Sequence, residues 1–212
     1  MQPIVQQTNS EATMSPKIST KQDTKTALLE TGIEIMLEKG YSNTGIQEVL
    51  SKIGVPKGSF YHYFDSKEDF ALQIINYFDG FHTATLLRTL RNPDATPLER
   101  LRIYCRNGIE KVSSAQCRRG CLIGNLSQEM ADQSEVLREA LSLVMQKWRD
   151  LFAACIEEGQ KAGEIRSDCS AHDLAEIYLS GWEGAIMRAK ITKRIDPMNI
   201  FMEVTLEHLL KG

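Results

Sequence analysis

The chain has 212 residues, long enough to bury a substantial core as one or two domains. Its 25 basic residues stand against 28 acidic ones, and the net charge of −3 excludes a uniformly basic nucleic-acid coat, so any DNA contact must come from a local patch. With 42% hydrophobic and 25% charged residues, and no apolar run near the ~20 residues that span a bilayer, disordered and membrane-embedded classes are excluded too.

Residues 1–19 lack periodicity and carry Gln, Ser, Thr and two prolines, which predicts a flexible tail. They show no basic start followed by an apolar stretch, so no secretory leader is expected. From Asp23 the pattern turns helical. Ala27, Leu28, Ile33, Ile35, Met36 and Leu37 give an apolar face, and Lys39-Gly40 supplies a stop. Thr44 is predicted to cap the next helix, with Gln47 in capping-box position ahead of Val49, Leu50 and Ile53. Gly54-Val55-Pro56 breaks the chain, Pro56 opens a third short helix through about Phe64, and Asp65-Ser66 caps a fourth that reaches about Leu90. Further helical segments are predicted at about 98–112, 121–131, 135–162, 171–191 and 198–210. No alternating pattern bounded by hairpin turns occurs. The predicted fold class is all-α, with a three-helix head over residues 20–68 and a larger helical body over 69–212.

The sharpest local feature runs from Thr44 to Lys67, TGIQEVLSKIGVPKGSFYHYFDSK. Two short helices joined by a tight turn with Gly match the helix-turn-helix layout, whose second helix enters a major groove. Ile46, Val49, Leu50, Ile53 and Val55 can pin the pair, and Phe60 with Phe64 can bury the inner face of the second helix. The opposite face then shows Lys57, Gly58, Ser59, Tyr61 and His62. Hydroxyl, ammonium and helix N-terminal N–H donors suit phosphates, and a glycine lets backbone approach a base edge. The stretch holds three lysines and two acids, and the first arginine of the chain is Arg88. The arginine–guanine fork is therefore absent from the head, which leaves Lys57 as the candidate for a guanine contact.

The run from Asp23 to Phe70, ending VPKGSFYHYFDSKEDF, resembles the DNA-binding head of the TetR family of transcriptional regulators. The resemblance implies an all-α, homodimeric, TetR-like fold. It implies that Thr44, Tyr61, Tyr63 and Lys67 hold phosphates, and that Lys57, Gly58, Ser59 and His62 face bases. In the body, RRGCLIGNLSQEM (118–130) and GWEGAIMRAK (181–190) are similar to the acrylate-responsive AcuR-type and electrophile-responsive NemR-type branch of that family. That likeness implies a sensing thiol at Cys121 with Lys190 as its partner.

Five cysteines, odd in number and without a C-x-x-C pair, argue against a disulfide framework or structural zinc, so reduced thiols in the cytoplasm are expected. Cys121 follows Arg118-Arg119-Gly120 at the start of a helical segment. A helix N-terminus and two guanidiniums lower a thiol pKa, whereas a small buried hydrophobe is the ordinary alternative for a free cysteine. Cys105 and Cys155 lie in apolar stretches and read as inert; Cys117 is near enough in sequence to resolve a disulfide. Trp148, Phe152, Trp182 and Met187 are candidates for an apolar effector pocket, with Tyr104, Asn125, Arg188 and Lys190 as polar anchors. A cation there suits a carboxylate, though Lys190 equally reads as a solvated charge. The last two helices look like a homodimer seam, because the terminal one is apolar on several sides.

The expected function is a repressor released from a palindromic DNA operator by a small effector, with no cofactor, no metal and no membrane contact. A constitutive DNA-binding protein shares the head without the response. An enzyme is disfavoured, because G-x-S-x-G, H-E-x-x-H and P-loop motifs are missing and the four histidines are scattered.

Overall fold

The computed structural model describes residues 21–211, and the tail expected over 1–19 lies outside them. Every regular element among the described residues is helical. α1 (Lys21–Lys39) stops at Gly40, whose φ of 81° is the left-handed conformation that glycine adopts without a Cβ clash. α2 (Ile46–Ile53) ends at Gly54, and a tight connection leads to α3 (Gly58–Tyr61), a single turn. α4 (Lys67–Leu90) starts at Ser66, whose hydroxyl accepts the Asp69 N–H at 3.0 Å. The body follows as α5 (Pro97–Ser114), α6 (Leu122–Met130), α7 (Glu135–Lys161), α8 (Ala171–Thr192) and α9 (Asp196–Val204). Thr96, Ser134 and Ser170 cap α5, α7 and α8 by accepting N–H groups three residues on. α9 runs into a π-helical turn over Thr205–Leu209, so the last helix begins earlier than its apolar pattern suggests and loosens at its end.

Two local expectations are corrected. Thr44 does not cap α2. Its hydroxyl donates to the Gly40 carbonyl at 2.6 Å and the residue is 2% exposed, so Gly45 takes the cap position with no side-chain cap bond and no capping box with Gln47. The third helix spans one turn, not Pro56 to Phe64, because the chain tightens into turns after Tyr61 to swing Phe60 and Phe64 inward.

The head core is aromatic. Phe60, Phe64 and Phe70 are buried with ring centroids 4.7–5.2 Å apart, in tilted and edge-on arrangements. Leu28, Val49, Leu50 and Ile74 join them in the core; each such buried side chain contributes roughly 1.5–3 kcal/mol. α1 packs on α2 and α4, α4 continues out of the head to lie along α7, and α7 pairs with α8, which packs on α9. The short helix α6 touches both α7 and α1, and so lies between body and head.

Candidate functional site

The turn of α3 exposes Lys57, Gly58, Tyr61 and His62 together, with Tyr61 55% exposed, while Phe60 between them is buried. Ser59 and Tyr63 are half-buried, and the Tyr63 carbonyl accepts from the Gln73 amide at 3.5 Å. Free donors and a bare glycine on an open helical turn are the chemistry of phosphate and base-edge contact. Lys67, the first residue of α4, packs against the neighbouring α1–α2 loop, with its ammonium on the Ser42 carbonyl at 3.1 Å and 4.6 Å from the Tyr41 ring centre. Burial lowers its pKa, opposed by the charge of Glu129. Thr44 sits in the same loop but spends its hydroxyl proton inside the head, so what it offers outward is backbone.

A second site lies in the body. α1, α4, α5 and α8 enclose a cavity of about 730 Å³, within the range that holds small ligands. Phe78, His82, Tyr104 and Trp182 line it, Cys121 and Glu183 form part of its wall, and Lys111 with Arg118 supplies positive charge among the lining residues. Burial, and then the nearby Lys111 charge, pulls His82 down to about 4, so its ring is neutral at physiological pH. Its Nε2 is buried with no hydrogen-bond partner among the described residues. Such an atom is an open position for a ligand or water.

The environment of Cys121 reverses the sequence-based expectation of an acidified thiol. Cys121 does cap α6, its sulfur accepting the Gly124 N–H at 3.5 Å. Burial raises its pKa well above the ordinary value, Glu183 raises it further, and the Gly124 and Ile123 amides pull the other way without prevailing. Neither guanidinium is among the groups that set it: Arg119 pairs with Glu38 at 3.4 Å and Arg118 is exposed. Burial pushes Glu183 up to about 7, and its hydrogen bond with the thiol pulls it back. Gly124 makes this approach possible, since a Cβ there would collide with the Glu183 carboxylate.

α6 links the two sites. At its far end the Glu129 carboxylate accepts the backbone N–H groups of Tyr41 and Ser42, each at 2.7 Å. Burial alone would raise the Glu129 pKa, but these hydrogen bonds and the Lys67 charge outweigh it and hold the carboxyl below its usual range. Gly40 leaves room for the clamp, because a Cβ there would meet Glu129 Oε2 at 2.6 Å.

The effector candidates read from the sequence are divided by the structure. Tyr104, Cys121 and Trp182 meet at the large cavity. Asn125 and Met187 line a second cleft of about 500 Å³ between α6, α7 and α8, which shares Cys121 and Glu183 with the first. Trp148 and Phe152 are buried behind the cavity and do not line it; the Trp148 indole donates to Asp79 at 2.8 Å. Arg188 is exposed and absent from both linings, and the Lys190 ammonium reaches the Leu37 carbonyl on α1 at 3.5 Å. The cationic anchor expected from Arg188 or Lys190 is instead available from Lys111. Glu183, His82, Lys111 and Glu129 escaped the sequence reading. Only Glu183 and Glu129 left a signal there, as acids inside the two quoted body motifs.

Comparison with known proteins agrees with this two-part layout. Residues 28–74 match the family described as bacterial regulatory proteins, tetR family, and residues 97–205 match the tetracyclin repressor-like C-terminal domain. Transcriptional regulator AcuR of Cereibacter sphaeroides is 40% identical over 184 residues, 87% of this chain and 84% of that protein. HTH-type transcriptional repressor DhaR of a Mycobacterium species (strain GP1) is 38% identical, over 86% of this chain and 90% of its own length. Among solved structures, regulatory protein TetR from Rhodobacter sphaeroides superposes with a TM-score of 0.83 at 40% identity, covering 86% of this chain and 97% of that one. The reduced form of Escherichia coli NemR gives a TM-score of 0.82 at 27% identity, over 90% and 97%. A helix-turn-helix head carrying the Lys57–His62 face and a helical body with its own cavity, matched along most of the chain, place this protein in the TetR family of bacterial transcriptional regulators.

Proposed function

We propose that the protein is a cytoplasmic, homodimeric repressor that leaves a palindromic operator when a small unsaturated acid or electrophile enters the body cavity. The observation that carries this reading is the position of α6: its cap residue Cys121 lies in the cavity wall, and its last turn holds the loop of the DNA-facing head through Glu129. A ligand that shifts the cap shifts the clamp. Lys57, Gly58, Ser59 and His62 face bases, and Tyr61, Tyr63, Lys67 and the Thr44 backbone approach phosphates. Exposed Ile177, Met187 and Ile191 on α8, with Ile200 and Val204 on α9, supply the apolar seam between subunits. Tyr104 and Trp182 contact the effector, with Lys111 as the cation for a carboxylate; Asn125 lies across the Cys121–Glu183 wall. A relative described in a reduced form supports a thiol-based response.

The recognition helices of a dimer meet successive major grooves about 34–36 Å apart. A coupling of about 1–3 kcal/mol between cavity and head lowers operator affinity roughly 5- to 150-fold. Footprinting the region upstream of the protein's own gene, then titrating it with acrylate and with N-ethylmaleimide, tests this. Release of the wild type by both, with the N-ethylmaleimide response lost in Cys121→Ser, is the expected result. Binding that neither compound weakens would leave a constitutive DNA-binding protein in place of a sensor.

A further inference from the structure

Cys121 and Glu183 form the common wall of the body cavity and the α6–α7–α8 cleft. The missing Cβ of Gly124 is what lets the carboxyl lie against α6 beside the thiol: a Cβ there would collide with the Glu183 carboxylate and stand 3.6 Å from the Cys121 Cβ. Burial and Cys121 are what act on the ionisation of Glu183; no cation among the described residues offsets its charge. Burying a carboxyl against a thiol costs stability without a compensating ion pair, so the arrangement is poor as a structural device. It also leaves Cys121 protonated, and a thiol is not a nucleophile until its proton departs.

We propose that Glu183 is the proton acceptor that activates Cys121 toward α,β-unsaturated carbonyl electrophiles entering the cavity, which deepens the effector reading above and rests on it. As the sulfur–carbon bond forms at the β-carbon, the S–H proton passes to a Glu183 oxygen, and the π electrons of the double bond move to the carbonyl as an enolate. Glu183 then returns the proton to the α-carbon. The net change is addition of S–H across the double bond, with the carboxylate regenerated and no oxidant or reductant consumed. Partial proton transfer in the transition state lets a thiol of high pKa react at neutral pH, where thiolate alone would be scarce.

The titratable and charged groups that line the two chambers around Glu183 are Cys121 at the α6 cap, Glu38 on α1, His82 on α4, Tyr104 and Lys111 on α5, Arg118 and Arg119 in the α5–α6 connection, Arg149 on α7 and Glu176 on α8. His82 is neutral above about 4, Tyr104 is held protonated by burial, and Arg149 is tied to Asp150 at 2.9 Å. The pH profile of Cys121 near neutrality therefore reports Glu183.

The test is alkylation of the full chain by N-ethylmaleimide, read at Cys121 by peptide mass spectrometry from pH 5 to 10. Exposed Cys169 serves as the internal control for reagent and fold. The wild-type rate is expected to rise as Glu183 ionises through about 7. Glu183→Gln is expected to slow Cys121 about 100-fold at neutral pH, with the gap closing at high pH as the thiol ionises unaided. Glu183→Asp, which keeps a carboxylate, recovers part of the rate, and a solvent deuterium effect seen in the wild type disappears in Glu183→Gln. A Glu183→Gln variant that alkylates as fast as the wild type, or faster, overturns the proposal, since a carboxylate that only suppresses thiol ionisation gives that result; operator release by acrylate is unaffected by it. Labelling of Cys169 with none at Cys121 in the wild type overturns both this step and the covalent arm of the effector reading, and leaves a reversible ligand in the cavity.

Discussion

A Cβ added at Gly58 meets nothing within 4 Å, and the residue does not occupy the left-handed region. Neither packing nor backbone geometry inside the head requires a glycine there; the proposed approach to a base edge gives it a role. Gly58→Ala is therefore expected to hold or raise the melting temperature, alanine being favoured by roughly 0.5–1 kcal/mol in a helical turn, while operator affinity in a gel-shift titration falls by about 1–3 kcal/mol. A second residue-scale effect is titration of His82. Its pKa is lowered from 6.5 to about 4 on folding, so the native state prefers the neutral ring. Stability from this site is fully present above pH 6.5 and is lost as pH falls toward 4, by up to roughly 3 kcal/mol. His82→Leu should flatten denaturant midpoints across that window; an unchanged slope would count against a neutral buried ring. The exposure of Lys57, Gly58, Tyr61 and His62 around a buried Phe60 was legible in the sequence, because that pattern is local. The state of Cys121 was not, because Glu183 arrives from α8 and the neighbouring Arg119 turns away to Glu38.

At the scale of elements, α6 is a nine-residue strut, about 13 Å long, with a thiol cap at one end and a double acceptor at the other. Glu129→Ala leaves two backbone donors of the α1–α2 loop without their acceptor, a loss of about 1–3 kcal/mol in docking the head. Hydrogen exchange at the Tyr41 and Ser42 amides should speed up in that variant, and operator affinity should respond less to cavity ligands than in the wild type. Exchange unchanged at those two amides would show that the clamp does not persist in solution. The helices themselves were largely legible: Gly40 and Gly54 stop them, Ser66 starts α4, and the predicted α7 and α8 differ from the observed ends by one residue. The exceptions have physical causes. The Thr44 hydroxyl donates back to the Gly40 carbonyl and leaves the cap position to Gly45, and the α9 pattern is obscured by a π-turn that keeps Leu206 and Leu210 buried.

For the whole molecule, the exposed apolar stripe of α8 and α9 is the seam of the proposed homodimer. Met187 and Ile191 are 52% and 63% exposed one turn apart on α8, in line with Ile177. Placing charge there, as in Met187→Glu with Ile191→Glu, should give a monomer in sedimentation while the far-ultraviolet spectrum stays helical, and operator binding should drop because two half-sites can no longer be held at once. A double variant that remains dimeric would move the seam elsewhere.

α4 contributes both to the cavity wall, through Phe78, Phe81 and His82, and to the head, through Lys67 and Phe70. From His82 to Lys67 is fifteen residues of continuous helix, a lever of about 22 Å, so a tilt of about 5° at the cavity swings its head end by about 2 Å. In the proposed homodimer, two-fold symmetry doubles that to about 4 Å between recognition turns, about a third of a major-groove width. In the proposed function, then, an effector needs only a slight tilt of α4 at the cavity to take the recognition turns out of register on DNA.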